Sequence, residues 1–247
     1  MAPEAGKTMA SRCARPLRLA LAAAALAASA CTNTQVFHHD RHETPAGGDA
    51  RILLMPPDVE LSELTIAGLP EPRADWTGAA LGHLDVALRE HLERLGEEIV
   101  PYAPTDRAEL QRSHTQLLKL HEVVGSSILE HQLGPPALRL PTLGKRFDWT
   151  LGEEARALSA ESGAQYALFV FVRDSYTSAG RAVMMFTAAA VAGVALPGGR
   201  QIGFASLVDL ASGDLVWFNF LTSETGDLRD LDSARDTVRA LLEELPR

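Results

Sequence analysis

Five consecutive apolar residues, Leu168-Phe-Val-Phe-Val172, sit inside the run Tyr166 to Ser175. A strand sends successive side chains to opposite faces, so a run this apolar needs cover on both sides of its sheet. The rest of the chain supplies the cover. Trp76 to Leu95 places Ala80, Leu84, Ala87, Leu88, His91, Leu92 and Leu95 at three- and four-residue intervals, the pattern of an amphipathic helix, and Gly96 ends it. A second helix is expected from Asp106 to about Leu129, opened by Asp106 and Glu109 as a capping box, and a third from Thr150 and Glu153 to Ser162-Gly163. A last helix, Ser233 to Leu245, carries Ala234, Val238, Leu241, Leu242 and Leu245 on one stripe. Short apolar runs at Arg51 to Pro57, Glu97 to Tyr102, Gln201 to Leu210 and Leu215 to Leu221 read as further strands, the last two as a hairpin turning at Gly213. Leu133 to Phe147 is too rich in Pro and Gly for either regular structure. The expected fold is α/β, a single mixed sheet of about five strands with helices packed on it, forming one domain over residues 51–247.

Upstream, Leu17 to Cys31 reads LRLALAAAALAASAC, with Arg12, Arg15 and Arg18 around its start. A basic start, a short apolar centre and a small-residue cut site make a secretory signal. The uncharged run Leu19 to Cys31 falls short of the roughly 20 residues that a membrane span needs. Ala28-Ser29-Ala30-Cys31 resembles the bacterial lipobox, which implies a signal peptide over 1–30 and lipid attached to Cys31. Cys13 leaves with the leader, so thiol, disulfide and cysteine-metal chemistry drop out once Cys31 carries lipid. Loss of Lys7, Arg12, Arg15, Arg18 and Glu4 takes the formal charge from -9 to -12. That balance repels nucleic acid and anionic headgroups alike and disfavours nucleic acid as a partner. Residues 31–50 lack apolar periodicity and carry Pro45, Gly47 and Gly48, so they are expected to form a flexible tether. His38, His39 and His42 lie in it without an ordered frame, and no metal or other cofactor is assigned.

Asp209-Leu-Ala-Ser-Gly-Asp-Leu-Val-Trp217, together with the Pro-Pro strand end at Pro56-Pro57 and the strand exit Phe169 to Tyr176, is similar to envelope α/β domains of the TolB amino-terminal and CsgG-like kind. That resemblance implies a scaffolding or assembly role, often in a lipoprotein, without catalysis by this domain. Independently of it, Asp209 and Trp217 are equally distant from Gly213 and should face each other across the hairpin, with Trp217 supplying core or groove surface.

Two stretches repeat the pattern Arg-x-Asp-Trp-Thr, Arg73 to Thr77 and Arg146 to Thr150. Helix capping by Asp or Thr with Trp packed over the entry is one reading. The other makes Arg73, Trp76, Arg146 and Trp149 matching partner-binding anchors on one rim. Ala182 to Leu196, AVMMFTAAAVAGVAL, is uncharged. As a helix it would extend about 22 Å, short of a bilayer core. It is read as a buried core helix, an oligomer surface with Met184, Met185 and Phe186 as contacts, or a membrane-dipping hairpin. Enzyme motifs fail at particular atoms. His121-Glu-Val-Val-Gly125 has Gly where a zinc helix needs its second His, and Gly199 stands where a phosphate loop needs Lys. No catalytic residue is assigned. The sequence reads as an outer-membrane lipoprotein on the periplasmic face that binds an envelope protein or itself. The alternatives are a self-assembling secretion or pore component using 182–196, and a periplasmic hydrolase with an acidic/His site.

Overall fold

The computed structural model describes residues 32–39, 50–142, 144 and 146–246. The signal peptide, Cys31 and His42 lie outside the described residues. The strands are β1 Thr32–His38, β2 Arg51–Leu54, β3 Asp58–Leu64, β4 Pro70–Pro72, β5 Glu98–Pro101, β6 Tyr166–Thr177, β7 Gln201–Asp209 and β8 Leu215–Ser223. The α-helices are α1 Ala74–Leu95, α2 Ala108–His131, α3 Arg156–Ser162, α4 Ala179–Thr187 and α5 Leu231–Leu241.

All of these strands join one mixed sheet in the order β1-β8-β7-β6-β2-β5, with β3 on β6 and β4 on β3. The organising strand is β6. Its first residues pair in parallel with β2, Ile52 to Tyr166 and Leu54 to Leu168. Its later ones pair in parallel with β3, Asp58 to Phe171 through Leu64 to Thr177. Between the two partners stand Pro56 and Pro57, which have no N–H to give a ladder and so break what would otherwise be one strand. On its other side β6 pairs antiparallel with β7, and β7 with β8.

The apolar run of β6 is covered on both faces, as its composition requires. Leu168, Val170 and Val172 join Ala205, Leu207 and Trp217 beneath Leu84 and Leu88 of α1 and Val238 and Leu241 of α5. Phe169 and Phe171 join Phe204 and Phe218 on the opposite face, beneath Leu117 and Ile128 of α2 and Leu158 of α3. Burying one such side chain contributes about 1.5–3 kcal/mol over leaving it exposed.

Several expectations need correction. Thr32–His38 is a sheet strand and not part of a tether: Phe37 stacks on Phe147 at 5.5 Å, and His39 N donates to Val216 O at 3.1 Å. Its apolar residues Val36 and Phe37 are enough to seat it on the β8 edge that would otherwise be open. His39 is buried beside Asp148, 3.5 Å away, so this histidine does have an ordered frame. The sheet has eight strands, not about five, because β3 and β4 lie among Pro and acidic residues and β1 is mostly polar. Neither expected capping box forms. Arg107 precedes α2 without a side-chain cap, and Thr150 Oγ1 accepts from Gly152 N at 2.9 Å in a turn ahead of α3. Trp217 is fully buried but sits opposite Leu207, since an irregularity between Leu207 and Val208 shifts the count across the hairpin. Gly213 turns that hairpin at φ 85°, where a Cβ would also meet Gly152 O at 2.1 Å.

Candidate functional site

The carboxyl ends of β3 and β6, the start of β7 and the end of β8 meet at one end of the sheet. In open α/β sheets, ligands bind in the crevice outside the carboxyl ends of strands. Three features gather at this end.

The first is a buried polar latch. Asp174 (3% exposed) and Gln201 (1%) face each other across β6 and β7, and Gln201 Nε2 donates to Asp174 Oδ2 at 3.0 Å. Tyr176 OH donates to the same oxygen at 2.5 Å and accepts from Leu228 N at 2.9 Å. Thr237 Oγ1 of α5 donates to Gln201 Oε1 at 3.1 Å. Burial pushes the Asp174 carboxyl above its usual range, against those hydrogen bonds, and burial beside Asp174 pushes the Tyr176 phenol up as well. The latch pins the loop after β8 to the sheet. Gly226 lies so close to the Gln201 amide that a Cβ there would sit 2.6 Å from it. A cavity of about 160 Å³ opens beside the latch between Ser175, Arg200 and Glu224.

The second is a stack of cations and rings. The Arg73 guanidinium lies 4.2 Å above the Trp76 ring, and Arg229 lies 4.9 Å from that ring and 3.8 Å from Tyr176. Trp76 and Tyr176 meet edge to face at 5.5 Å. Carboxylates hold both arginines in place: Glu63 and Asp75 for Arg73 at 2.7 and 3.1 Å, Asp227 for Arg229 at 2.8 Å. Half-buried Trp flanked by Arg is the residue chemistry of binding hot spots.

The third is an apolar arm. Ser178 caps α4, its hydroxyl accepting from Arg181 N at 3.3 Å, and a π-helical turn Ala188–Ala192 continues the helix to Gly193, which ends it at φ 64°. Phe186 is 76% exposed and Val191 82%, with Val183, Met184 and Val194 exposed beside them. Ile66 and Leu69, on the turn between β3 and β4, are exposed at the arm's root. Arg181 is buried there, donating from Nη2 to Pro197 O at 2.7 Å and from Nη1 to Ile66 O at 3.4 Å. The returning chain passes so near β6 that a Cβ on Gly199 would lie 2.1 Å from Ser175 O, which accounts for glycine at the position where a phosphate loop would carry lysine.

No protein-family model matches the chain, and no curated protein matches it in sequence. Among solved structures it is similar to the PelC dodecamer from Paraburkholderia phytofirmans, at 12% identity and TM-score 0.37 over 85% of this chain and 94% of that one. It is also similar to the LpoB C-terminal domain from Salmonella enterica, at 12% identity and TM-score 0.30 over 76% and 88%. Likenesses this loose carry no argument about what the chain does.

The residues singled out from the sequence divide between the two faces. Arg73 and Trp76 belong to the stack, and Met184 and Phe186 are exposed on the arm, whereas Met185 is half-buried. Of the three readings of 182–196, the buried core helix does not hold: the segment is an exposed projection. Trp149 packs into the core on the α2 face while Trp76 packs on the α1 face, so the paired anchors do not share a rim. Arg146 is exposed and donates to Thr142 O at 3.4 Å. Asp75 does not cap α1; it pairs with Arg73, and Thr77 Oγ1 accepts from Leu61 N at 3.0 Å.

The failed zinc motif has a packing reason. Gly125 lies under Phe204, where a Cβ would come within 2.1 Å of the ring. His121 Nε2 and Ser206 Oγ meet at 2.8 Å, but at 2% and 0% exposure they are sealed among Phe169 and Phe204. Sequence reasoning singled out Asp174 only as a carboxylate that could pair with Asp148 or Asp209, and it missed Tyr102, Tyr176, Gln201 and Arg229, since nothing in their spacing announces contacts made across strands. It also missed a cavity of about 200 Å³ beyond β5, where Tyr102 OH and Glu161 Oε2 lie 3.0 and 3.5 Å from the two ring nitrogens of buried His114.

Proposed function

We propose that this chain is an envelope lipoprotein, cut before Cys31 and held by lipid at the periplasmic face of the outer membrane. Its α/β domain, of the TolB amino-terminal and CsgG-like kind, serves as a protein-binding or assembly module. The observation that carries this reading is the gathering of binding-type side chains, the Arg73–Trp76–Arg229–Tyr176 stack, at the same end of the sheet as the apolar arm. The leader pattern and the acidic mature surface support the compartment and disfavour nucleic acid.

Crosslinking in intact envelopes, followed by affinity capture of the full chain, tests the reading. A defined envelope protein is expected to crosslink to the native protein and to be lost from the Trp76→Ala/Arg229→Ala variant at unchanged melting temperature. Capture of the same protein by both forms would place the contact elsewhere. The second reading, a self-assembling secretion component, is favoured by the exposure of Phe186 and Val191. Light scattering of the detergent-extracted protein separates the two, a ring of defined stoichiometry supporting assembly and a monomer the module.

A further inference from the structure

We propose that the arm is a membrane contact in its own right, seated in the interface of the bilayer that holds the lipid. This rests on the lipoprotein reading for the position of the bilayer, and on the following geometry for the arm.

The direction of β1 places its start. His39 N bonds to Val216 O at 3.1 Å, and Phe37 lies against Phe218 at 6.4 Å between ring centres. Residue numbers fall along β8 as they rise along β1, so the two run antiparallel and the start of β1 lies toward the Thr222 end of β8. Thr222 is next to the arm: its hydroxyl accepts from Arg200 Nε at 3.0 Å, and Arg200 is the residue on which the arm returns to the sheet. Cys31 lies outside the described residues, but it precedes Asn33 by two residues, which reach at most about 7 Å. Lipid on Cys31 therefore enters the bilayer beside the arm's root.

The chemistry of the arm suits that place. Residues 182–199 carry no charge. Arg181, within the helix, is turned inward onto Pro197 O and Ile66 O, so it adds no charge to the outer surface, and exposed Arg200 follows the arm where the chain rejoins the sheet. Ile66 packs against the arm at Gly180, where a Cβ would lie 2.8 Å from its Cγ1, and so extends the apolar surface to the β3–β4 turn. Among the described residues no helix is long and apolar enough to cross a membrane. On this proposal the arm, which does not span, sits in the headgroup and acyl boundary with its exposed apolar side chains sunk about 5–10 Å. A second copy of the chain and a protein partner are the competing occupants.

The test uses the full chain with Cys13→Ser, Cys31→Ser and Phe186→Cys, carrying an environment-sensitive dye at position 186. It is mixed with vesicles of phosphatidylethanolamine and phosphatidylglycerol, with and without doxyl-labelled lipid. A dye at Ala211→Cys, on the turn at the opposite end of the sheet, is the control. The expected result is a blue shift and quenching by doxyl lipid at 186 and neither at 211, with loss of the quenching at 186 when Val183→Glu and Val191→Glu are added. An unchanged spectrum at 186, equal quenching at both positions, or a dye at 186 shielded in an oligomer in solution overturns the proposal. Mass spectrometry of the native protein separates the two readings. Lipid on Cys31 with an unquenched dye sinks the arm contact alone, and a quenched dye without lipid on Cys31 sinks the anchor alone.

Discussion

His121 shows how one buried side chain couples this fold to pH. Burial among Phe169 and Phe204 removes water from its ring and pushes its pKa down to about 3 from the ordinary 6.5. In the unfolded chain the imidazole protonates first as pH falls. The stability contributed by keeping it neutral is thus complete above about pH 6.5 and is lost progressively as pH drops toward 3. Urea midpoints measured from pH 7.5 to 4.5 are expected to fall for the native protein and to fall less for His121→Leu/Ser206→Ala, which removes both partners of the buried hydrogen bond. An identical pH slope in the variant would locate the acid sensitivity in other groups, such as Asp58, whose carboxyl the neighbouring Lys119 and Arg173 hold below its usual range despite partial burial. Gly125 teaches the complementary lesson: what reads in sequence as a defective metal motif is a place where only hydrogen fits under an aromatic ring.

Among the elements, those with a strong period were legible and those without one were not. The helix ending at Gly96, the both-sided strand at Tyr166 and the hairpin at Gly213 follow from spacings of apolar residues and from positive-φ glycines. The strand β4 is Pro-Glu-Pro, and β3 carries three acidic residues, so their pairing is set by β6 and not by local propensity. The arm was legible as an anomaly but not as a projection, because an uncharged run reads alike whether protein or nothing covers it. Its attachment hangs on few bonds. Replacing Arg181 by Ala removes the ties to Pro197 O and Ile66 O and opens a gap at the root. Hydrogen exchange over residues 179–199 is expected to accelerate by about tenfold, the loss of roughly one net hydrogen bond to a charged group, with little change in the exchange of β6. Equal acceleration in both regions would show that Arg181 supports the whole domain.

For the whole molecule, one end of the sheet carries the latch, the stack and the arm, and the other carries the β7–β8 turn and the Trp149 segment. On the lipoprotein reading the first end faces the membrane. Cys31→Ser is then expected to move the protein into the soluble fraction after a high-pH wash, with its circular dichroism unchanged, because an interfacial arm without lipid binds reversibly. Retention in washed membranes would make the arm the principal anchor. The antiparallel seating of β1 on β8 has a mechanical consequence. A load applied between the lipid and the far end of the domain runs along these strands, so it shears their cross-strand hydrogen bonds together instead of peeling them one at a time. On the lipoprotein reading, attachment at the start of an edge strand would let the domain bear tension without unravelling from its first residue.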